Sequence, residues 1–290
     1  MTFPMSCSAL LLLLSSLLII SCEPFAARSG NAQQEAVIYG QDTREDVQQA
    51  NLDSRGSATV MLIHNYRLQP PIKTLRDAYP LCADEAFQDQ PRLGFCTGVL
   101  IAPDKVLTAG HCFNEKKDCS QISMLLGFTS DKVGKIKKAE LYGCTAILSA
   151  ENSFGPSGMD YAILQLDRKV VGVKPVVVAK DSEVKNQETV SSYSYPLGLP
   201  LKKDTGLVHG SDSKNHFFKV DVDTFEGSSG SPLFNSRGEL LGILSRGADD
   251  ILEDDIHRIQ TEGGCLNFHR CDNGFCNGET FFKASLVPGI

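Results

Sequence analysis

Three residues of types that cooperate in covalent catalysis are spread along this chain, each inside a short motif. Ser229 lies in Gly-Ser-Ser-Gly-Ser-Pro, His111 lies in Thr-Ala-Gly-His-Cys, and Asp160 opens Asp-Tyr-Ala-Ile-Leu-Gln-Leu. A serine hydroxyl needs a neighbouring base to become an effective nucleophile. Histidine titrates near neutrality, and a carboxylate bound to its second ring nitrogen holds the tautomer and stabilises the imidazolium. We therefore predict that His111, Asp160 and Ser229 form a catalytic triad.

Short runs rich in β-branched and aromatic residues must position these groups. The runs that predict strands are residues 58–64, 95–101, 106–108, 124–128, 161–166, 175–178, 190–195, 217–222 and 240–244. Many short strands separated by turn signals are typical of a barrel or a sandwich. The sequence therefore predicts an all-β fold.

Three further segments have patterns of their own. Lys132 to Lys138 carries interleaved lysines and predicts a solvated strand edge. Residues 66–92 lie between the first two strands and predict a loop or a short helix that covers the barrel. Residues 249–276 form an acidic segment with several cysteines, for which we predict a long loop stapled by disulfides.

The order His, Asp, Ser along the chain resembles that of trypsin-like serine peptidases of the chymotrypsin fold. Val-Ile-Tyr-Gly-Gln-Asp-Thr-Arg at residues 37–44, together with Ser-Gly-Ser-Pro after the nucleophile, is similar to the bacterial V8-like, glutamyl endopeptidase-like branch. The resemblance covers residues 37–285. It implies two packed six-stranded antiparallel β-barrels, about 37–168 and about 174–285, with the active site in the cleft between them. The first barrel would supply the histidine and the aspartate, and the second the serine.

The same resemblance assigns further roles around the nucleophile. The backbone N–H groups of Gly227 and Ser229 would form an oxyanion hole, and a disulfide between Cys96 and Cys112 would fix the histidine loop. Trypsin-type zymogens carry an aspartate directly before the nucleophile, whereas this chain has Ser228 there. Activation through an ion pair at that position is therefore not expected.

The residues expected to bind substrate give conflicting indications of specificity. Asp223 matches the position of a pocket-floor acid, which would favour lysine or arginine before the scissile bond. Arg246 could instead recognise an acidic side chain, or pair with Asp223 and cancel both effects. Thr224 is a further pocket candidate, and Ser245, Arg246 and Gly247 match a segment that pairs with the substrate backbone. Substrate preference stays open at this point.

These observations predict a serine endopeptidase that acts on proteins or peptides through an acyl-enzyme and needs no cofactor or metal. The alternative is a catalytically inactive protein of the same fold that uses its cleft for binding. An esterase of the α/β-hydrolase type is disfavoured by the order of the triad. The net charge of -7 argues against a nucleic-acid partner, because phosphates would repel such a surface.

The N-terminus predicts export. Residues 9–20 form an apolar run of the length of a secretory h-region, and residues 1–21 are expected to be a signal peptide of the lipoprotein type. Ile-Ile-Ser-Cys resembles a bacterial lipobox, so lipidation of Cys22 would anchor the protein to a membrane, with residues 22–36 as a tether. Glu23 is compatible with sorting to the outer membrane. An ordinary signal peptide and secretion are the alternative.

Ten cysteines are consistent with an oxidising compartment. Apart from those in the signal, the lipobox and the histidine loop, six could pair in many ways, and the sequence does not decide between them: Cys82, Cys119, Cys144, Cys265, Cys271 and Cys276. The last three form an odd cluster, so at least one of them must bond to an earlier cysteine if all are oxidised. Their spacing does not fit a zinc finger.

Overall fold

The computed structural model describes residues 38–113, 119–153, 155–179, 184–211, 214–247, 258–260, 264–271 and 278–290. The predicted signal peptide, the lipidation site Cys22, the tether and Cys276 lie outside the described residues. No helix in these ranges is long and apolar enough to cross a membrane.

Strands account for most of the regular structure. The first seven are β1 (Glu45–Asp46), β2 (Thr59–His64), β3 (Gly94–Ala102), β4 (Lys105–Thr108), β5 (Ile122–Leu126), β6 (Leu141–Asn152) and β7 (Asp160–Leu166). The others are β8 (Thr189–Ser194), β9 (Lys202–His209), β10 (Phe217–Val220), β11 (Pro232–Phe234), β12 (Leu240–Arg246), β13 (Arg258–Gln260), β14 (Leu266–Phe268) and β15 (Glu279–Lys283). Two short α-helices are present among the described residues, α1 (Ser54–Ala58) and α2 (Leu75–Ala78). Single 3-10 turns cover Gln49–Asn51, Asn65–Leu68, Gly110–Phe113, Ser130–Lys132, Lys138–Glu140, Pro196–Gly198 and Ala284–Leu286.

The strands close into two antiparallel barrels of six strands each. The first runs β2-β3-β4-β7-β6-β5 and closes through the β2–β5 pair. The second runs β9-β10-β15-β12-β11-β8 and closes through the β8–β9 pair. Closure leaves no open sheet edge within a barrel. The predicted chymotrypsin-like, all-β class is confirmed.

A shared apolar core joins the two barrels. It includes Met61 and Leu107 of the first barrel together with Phe234 and Phe282 of the second. Tyr195 lies fully buried where they meet, accepts a hydrogen bond from the Phe128 N–H at 3.0 Å, and donates one to the Thr59 carbonyl at 3.2 Å. A buried tyrosine needs such partners, so these contacts hold the barrels in one relative position. The domain boundary near residues 168–174 stays a prediction, and β1 pairs with β9 of the second barrel.

Several predicted elements differ from those observed. Lys132 to Lys138 is not a strand edge, because 3-10 turns lie at both ends and Gly134 has a φ of +72°. Residues 175–178 form only an isolated bridge, between Val178 and Leu240. The strand predicted to end at 222 ends at Val220, and beyond it the Asp223 N–H bonds the Asp204 carboxylate at 2.6 Å.

The segment between β2 and β3 contains α2, as the expectation of a loop or short helix allowed. Thr74 and Asp77 form a capping box at its start. The disulfide Cys82–Cys265 ties this segment to the chain before β14, and β13 and β14 form a hairpin in the region predicted as a loop.

The disulfides answer part of the open pairing question. Cys96–Cys112 is present as the resemblance implied. Cys119–Cys144 is a further bond, and Cys271 is also disulfide-bonded. Cys82–Cys265 satisfies the requirement that one of the last three cysteines bonds to an earlier one.

Candidate active site

His111 lies in the 3-10 turn that follows β4, and the local sequence forces this turn against the first barrel. Gly110 approaches the sheet so closely that a methyl group there would overlap the Glu151 carbonyl oxygen and lie 2.8 Å from that of Tyr161. The disulfide of Cys112 to β3 fixes the other side of the turn. The turn that carries the imidazole is therefore fixed on both sides of His111.

Asp160 is the first residue of β7 and faces this imidazole. Its carboxylate accepts hydrogen bonds from His111 Nδ1 at 2.8 Å, from the His111 backbone N–H at 2.9 Å and from the Ser245 hydroxyl at 2.5 Å. Its side chain is 1% exposed. Burial by itself raises the pKa of this carboxyl, but the hydrogen bonds and charge of His111, with the Ser245 hydroxyl, outweigh burial and hold the pKa below its usual value. An ionised carboxylate therefore holds the histidine ring.

The loop that carries Ser229 is docked onto β3 of the other barrel. The Thr97 N–H donates to the Ser229 carbonyl at 2.8 Å, and the Thr97 hydroxyl donates to the Gly227 carbonyl at 2.7 Å. The Sγ of Cys112, the residue next to His111, lies 4.0 Å from the Ser229 carbonyl oxygen. The structure thus brings the serine loop, the histidine turn and the buried aspartate to one place between the barrels.

Gly230 makes this docking possible. Its φ is +82°, and a methyl group there would overlap the Thr97 carbonyl oxygen and the Thr108 hydroxyl, and would lie 2.7 Å from the Ala109 nitrogen. Only glycine combines that backbone conformation with so close an approach.

The Glu226–Gly227 peptide has a defined orientation. The Glu226 carbonyl accepts a hydrogen bond from the Leu197 N–H at 2.5 Å, and Gly227 has a φ of +94°. The C=O and N–H groups of a trans peptide point in opposite directions, so the Gly227 N–H points away from Leu197. Leu197 itself has a φ of +56°, an uncommon conformation for a residue with a side chain.

Asp223 contacts the N-terminal segment. Its carboxylate accepts the backbone N–H of Tyr39 at 2.7 Å and that of Thr43 at 2.9 Å. Burial first, and then the charge of Asp204, raises the pKa of Asp223 to about 7. The carboxylate expected at the pocket floor is therefore engaged by the chain itself.

Thr224 contacts a buried acid, Glu279, that was not predicted from the sequence. The Thr224 hydroxyl donates to Glu279 at 2.6 Å, and the Tyr39 hydroxyl donates to the other carboxylate oxygen of Glu279 at 3.3 Å. Glu279 is fully buried at the start of β15. No local signal could have found it, because its partners lie far away in the sequence.

The other predicted substrate-binding residues lie at the end of β12. Ser245 is fully buried and bonds Asp160. Arg246 packs over the Phe217 ring at 5.5 Å and donates to the Ser153 carbonyl at 3.4 Å, so it contacts the first barrel instead of Asp223. Gly247 follows and is half-buried.

A two-barrel fold with this cleft defines a chymotrypsin-like protein, and comparison with known proteins identifies its family. The family model described as the trypsin-like peptidase domain matches residues 96–243. That match covers just over half of the chain, and the protein belongs to the trypsin-like peptidase family.

The individual relatives match only part of this chain or share low sequence identity with it. A DegP-like protein of Ectopseudomonas mendocina, named a probable periplasmic serine endoprotease, is 36% identical over 93 residues, which are 30% of this chain and 19% of that protein. The glutamyl endopeptidase of Staphylococcus epidermidis is 25% identical over 164 residues, 53% of this chain and 55% of that protein. A solved Glu endopeptidase structure aligns with a TM-score of 0.53 at 18% identity, covering 86% of this chain and 94% of that one.

The expected resemblance to the V8-like branch is confirmed by these relatives, and the structural likeness shows the fold. The chain spans about a fifth of the length of the DegP-like relatives that it matches, and just over half of the glutamyl endopeptidase.

Proposed function

We propose that this protein is an exported serine endopeptidase that hydrolyses peptide bonds through His111, Asp160 and Ser229. The observation that carries the proposal is the buried Asp160 carboxylate, which holds the His111 ring at Nδ1. The serine loop lies beside Cys112, the residue next to His111. Family membership supports the same activity.

In this mechanism the Ser229 hydroxyl attacks the substrate carbonyl carbon while His111 Nε2 takes the hydroxyl proton. The resulting oxyanion accepts hydrogen bonds from the backbone N–H groups of Gly227 and Ser229. The C–N bond then breaks as His111 returns the proton to the leaving amine, which leaves an acyl-enzyme. Water, deprotonated by the same histidine, hydrolyses this ester and restores the serine.

The orientation of the Glu226–Gly227 peptide supports the role of Gly227. Because Leu197 binds the carbonyl of that peptide, its N–H is directed to the opposite side, which is where we place the oxyanion. Preorganised donors of this kind lower the barrier by about 3 kcal/mol each.

The proposal is tested with the Ser229→Ala variant and a matched control. The control is Ser231→Ala, since Ser231 is also buried in this loop but its hydroxyl has no hydrogen-bond partner among the described residues. We expect Ser229→Ala to lose peptide turnover and fluorophosphonate labelling, and Ser231→Ala to keep both. A folded wild-type protein that neither cleaves peptides nor accepts the label would be a binding protein instead.

For substrate binding, we propose that residues before the scissile bond pair with Ser245, Arg246 and Gly247 at the end of β12. Their side chains would then approach Thr224 and the charge of Asp223. Mass spectrometry of a cleaved peptide library separates the two specificities. A basic residue before the cut assigns selection to the acids of the pocket, and an acidic residue assigns it to Arg246.

Export and anchoring are also proposed. The DegP-like relatives are named as periplasmic, and the disulfides fit an oxidising compartment. Lipidation at Cys22 would place the enzyme on the cell envelope, at the outer membrane. Cys22→Ser should release the protein from the membrane fraction, and continued membrane association would contradict the anchor.

A further inference from the structure

A basic cavity lies at the edge of the first barrel, beside the start of β3. It has a volume of about 340 Å³ and is lined in part by Arg67, Lys73 and Arg92, with Tyr66 and Ile72. Among the described residues, no acidic side chain contributes to its lining. None of the three cations forms an ion pair with a described residue. Three cations around one opening create a site for a negatively charged group.

Two of the cations are held in place by backbone carbonyls. Arg67 donates to the Gly94 carbonyl at 2.7 Å, and Arg92 donates to the Leu197 carbonyl at 2.8 Å. Lys73 is exposed. The nearby Asp77 accepts hydrogen bonds from Thr74 and does not line the cavity. These hydrogen bonds, together with the charge of Lys73, lower the pKa of Asp77.

The same contacts fix the distance from the cavity to the nucleophile. Gly94 is three residues before Thr97 on β3, and Thr97 bonds the Ser229 carbonyl. A strand rises about 3.3 Å per residue, so the cavity lies about 10 Å from the serine loop. An extended peptide covers that distance in about three residues.

The strands on the two sides of the serine loop indicate the direction in which a bound substrate would run. The Gly230 N–H bonds the Leu244 carbonyl of β12, whereas Ser229 bonds Thr97 of β3. If the substrate before the cut follows the end of β12, the part after the cut leaves along the start of β3. A series of rings borders that path: Phe95 stacks on His64 at 4.0 Å, and His64 stacks on Tyr66 at 5.4 Å.

We propose that this cavity binds an acidic side chain located two to four residues after the scissile bond, an inference that rests on the proposed peptidase function. The rings from Phe95 to Tyr66 would support the intervening residues, and the side chains of Arg67, Lys73 and Arg92 would bind the carboxylate. A preference for an acidic residue after the scissile bond then adds to the preference of the pocket that binds the residue before that bond.

The test uses three fluorogenic peptides that differ only at the second to fourth positions after the cut, which are acidic, neutral or basic. A fourth substrate carries a nitroanilide leaving group and has no residues after the cut. At low salt we expect kcat/KM for the acidic peptide to exceed that for the neutral one by about fivefold, and the difference to shrink in high salt. The nitroanilide should show no such salt effect.

Lys73→Glu should abolish or reverse this preference without changing nitroanilide hydrolysis. The matched control is Lys169→Glu, an exposed residue next to Val170, which bonds Pro103 beyond the opposite end of β3. Equal cleavage of the three peptides, or an equal effect of both substitutions, would overturn the proposal.

If the protein is not a peptidase, these assays give a different result from the one expected if only the cavity proposal is wrong. If neither the nitroanilide nor any peptide is cleaved, binding of fluorescein-labelled acidic and neutral peptides is measured by anisotropy. Preferential binding of the acidic peptide that Lys73→Glu removes would support the cavity independently, and its absence would refute it.

Discussion

Gly230→Ala tests whether the serine loop is docked as described. The substitution places a methyl group onto the Thr97 carbonyl oxygen and the Thr108 hydroxyl in a backbone conformation with φ of +82°. The conformation alone costs about 1 kcal/mol for a residue with a side chain. Relief of the overlap needs a shift of about 1 Å, which costs about 2 kcal/mol in a close-packed region, and strained hydrogen bonds at Thr97 add about 1 kcal/mol. We expect a total loss of about 4 kcal/mol in the free energy of unfolding.

Gly172→Ala is the matched control for this prediction. Gly172 has a φ of +83°, and no atom lies within 4 Å of the place that a methyl group would take, so the substitution carries the conformational cost without the overlap. Urea unfolding of both variants should therefore differ by about 3 kcal/mol. Peptide turnover of folded Gly230→Ala should fall by about 100-fold, because a displacement of about 1 Å misplaces the nucleophile. Equal stability of the two variants, with turnover retained in Gly230→Ala, would refute the described docking.

Three further predictions follow from the contacts around the site. Ser245→Ala removes a hydrogen bond to the ionised triad carboxylate and should lower kcat/KM by about tenfold; unchanged kinetics would contradict the positioning role of this hydroxyl. Replacing Cys82 and Cys265 by serine opens a loop of 183 residues and should lower the free energy of unfolding by about 5 kcal/mol, and unaltered urea unfolding would contradict this. Burial and then the charge of Asp204 raise the pKa of Asp223 to about 7 from 3.8, so the folded state holds a proton that the unfolded state has lost, and stability falls as pH rises through this window. Relative to Asp223→Asn, the wild type should lose about 3 kcal/mol between about pH 4 and pH 7, and parallel pH profiles in urea unfolding would contradict the shift.

Local strand signals predicted the all-β fold, and the resemblance to trypsin-like peptidases implied the two barrels; the residues of the candidate triad were also proposed from local motifs. Thr-Ala-Gly-His-Cys places a histidine directly after a buried strand, and the partner of Cys112 is on the adjacent strand. The long strand β6 was missed because its outward residues are polar and small, so its apolar period is weak. Strand β15 was missed because it lies beyond the cysteine-bearing segment, where the pattern is short.

The surroundings of the triad could not be predicted because they depend on contacts between distant segments. Glu279 meets Thr224 across 55 residues and Tyr39 across 240. The basic cavity likewise needs a loop before β3 and the backbone beside Leu197. Contacts between distant segments are determined by the topology of the fold, and the residues adjacent in sequence give no indication of them.

Asp223 shows how contacts between distant segments affect a residue that the sequence predicts to determine specificity. Its position before the nucleophile matches that of a specificity acid, yet its two oxygens accept backbone N–H groups of Tyr39 and Thr43. A carboxylate so engaged fixes the N-terminal segment to the base of the serine loop, and burial first, then the charge of Asp204, makes a full negative charge unfavourable. A substrate cation would have to meet an acid that is half-protonated near neutral pH. Selection by charge is therefore expected to strengthen as pH rises through about 7, whereas the loss of stability from this group takes place below about 7, while only the folded state still holds the proton.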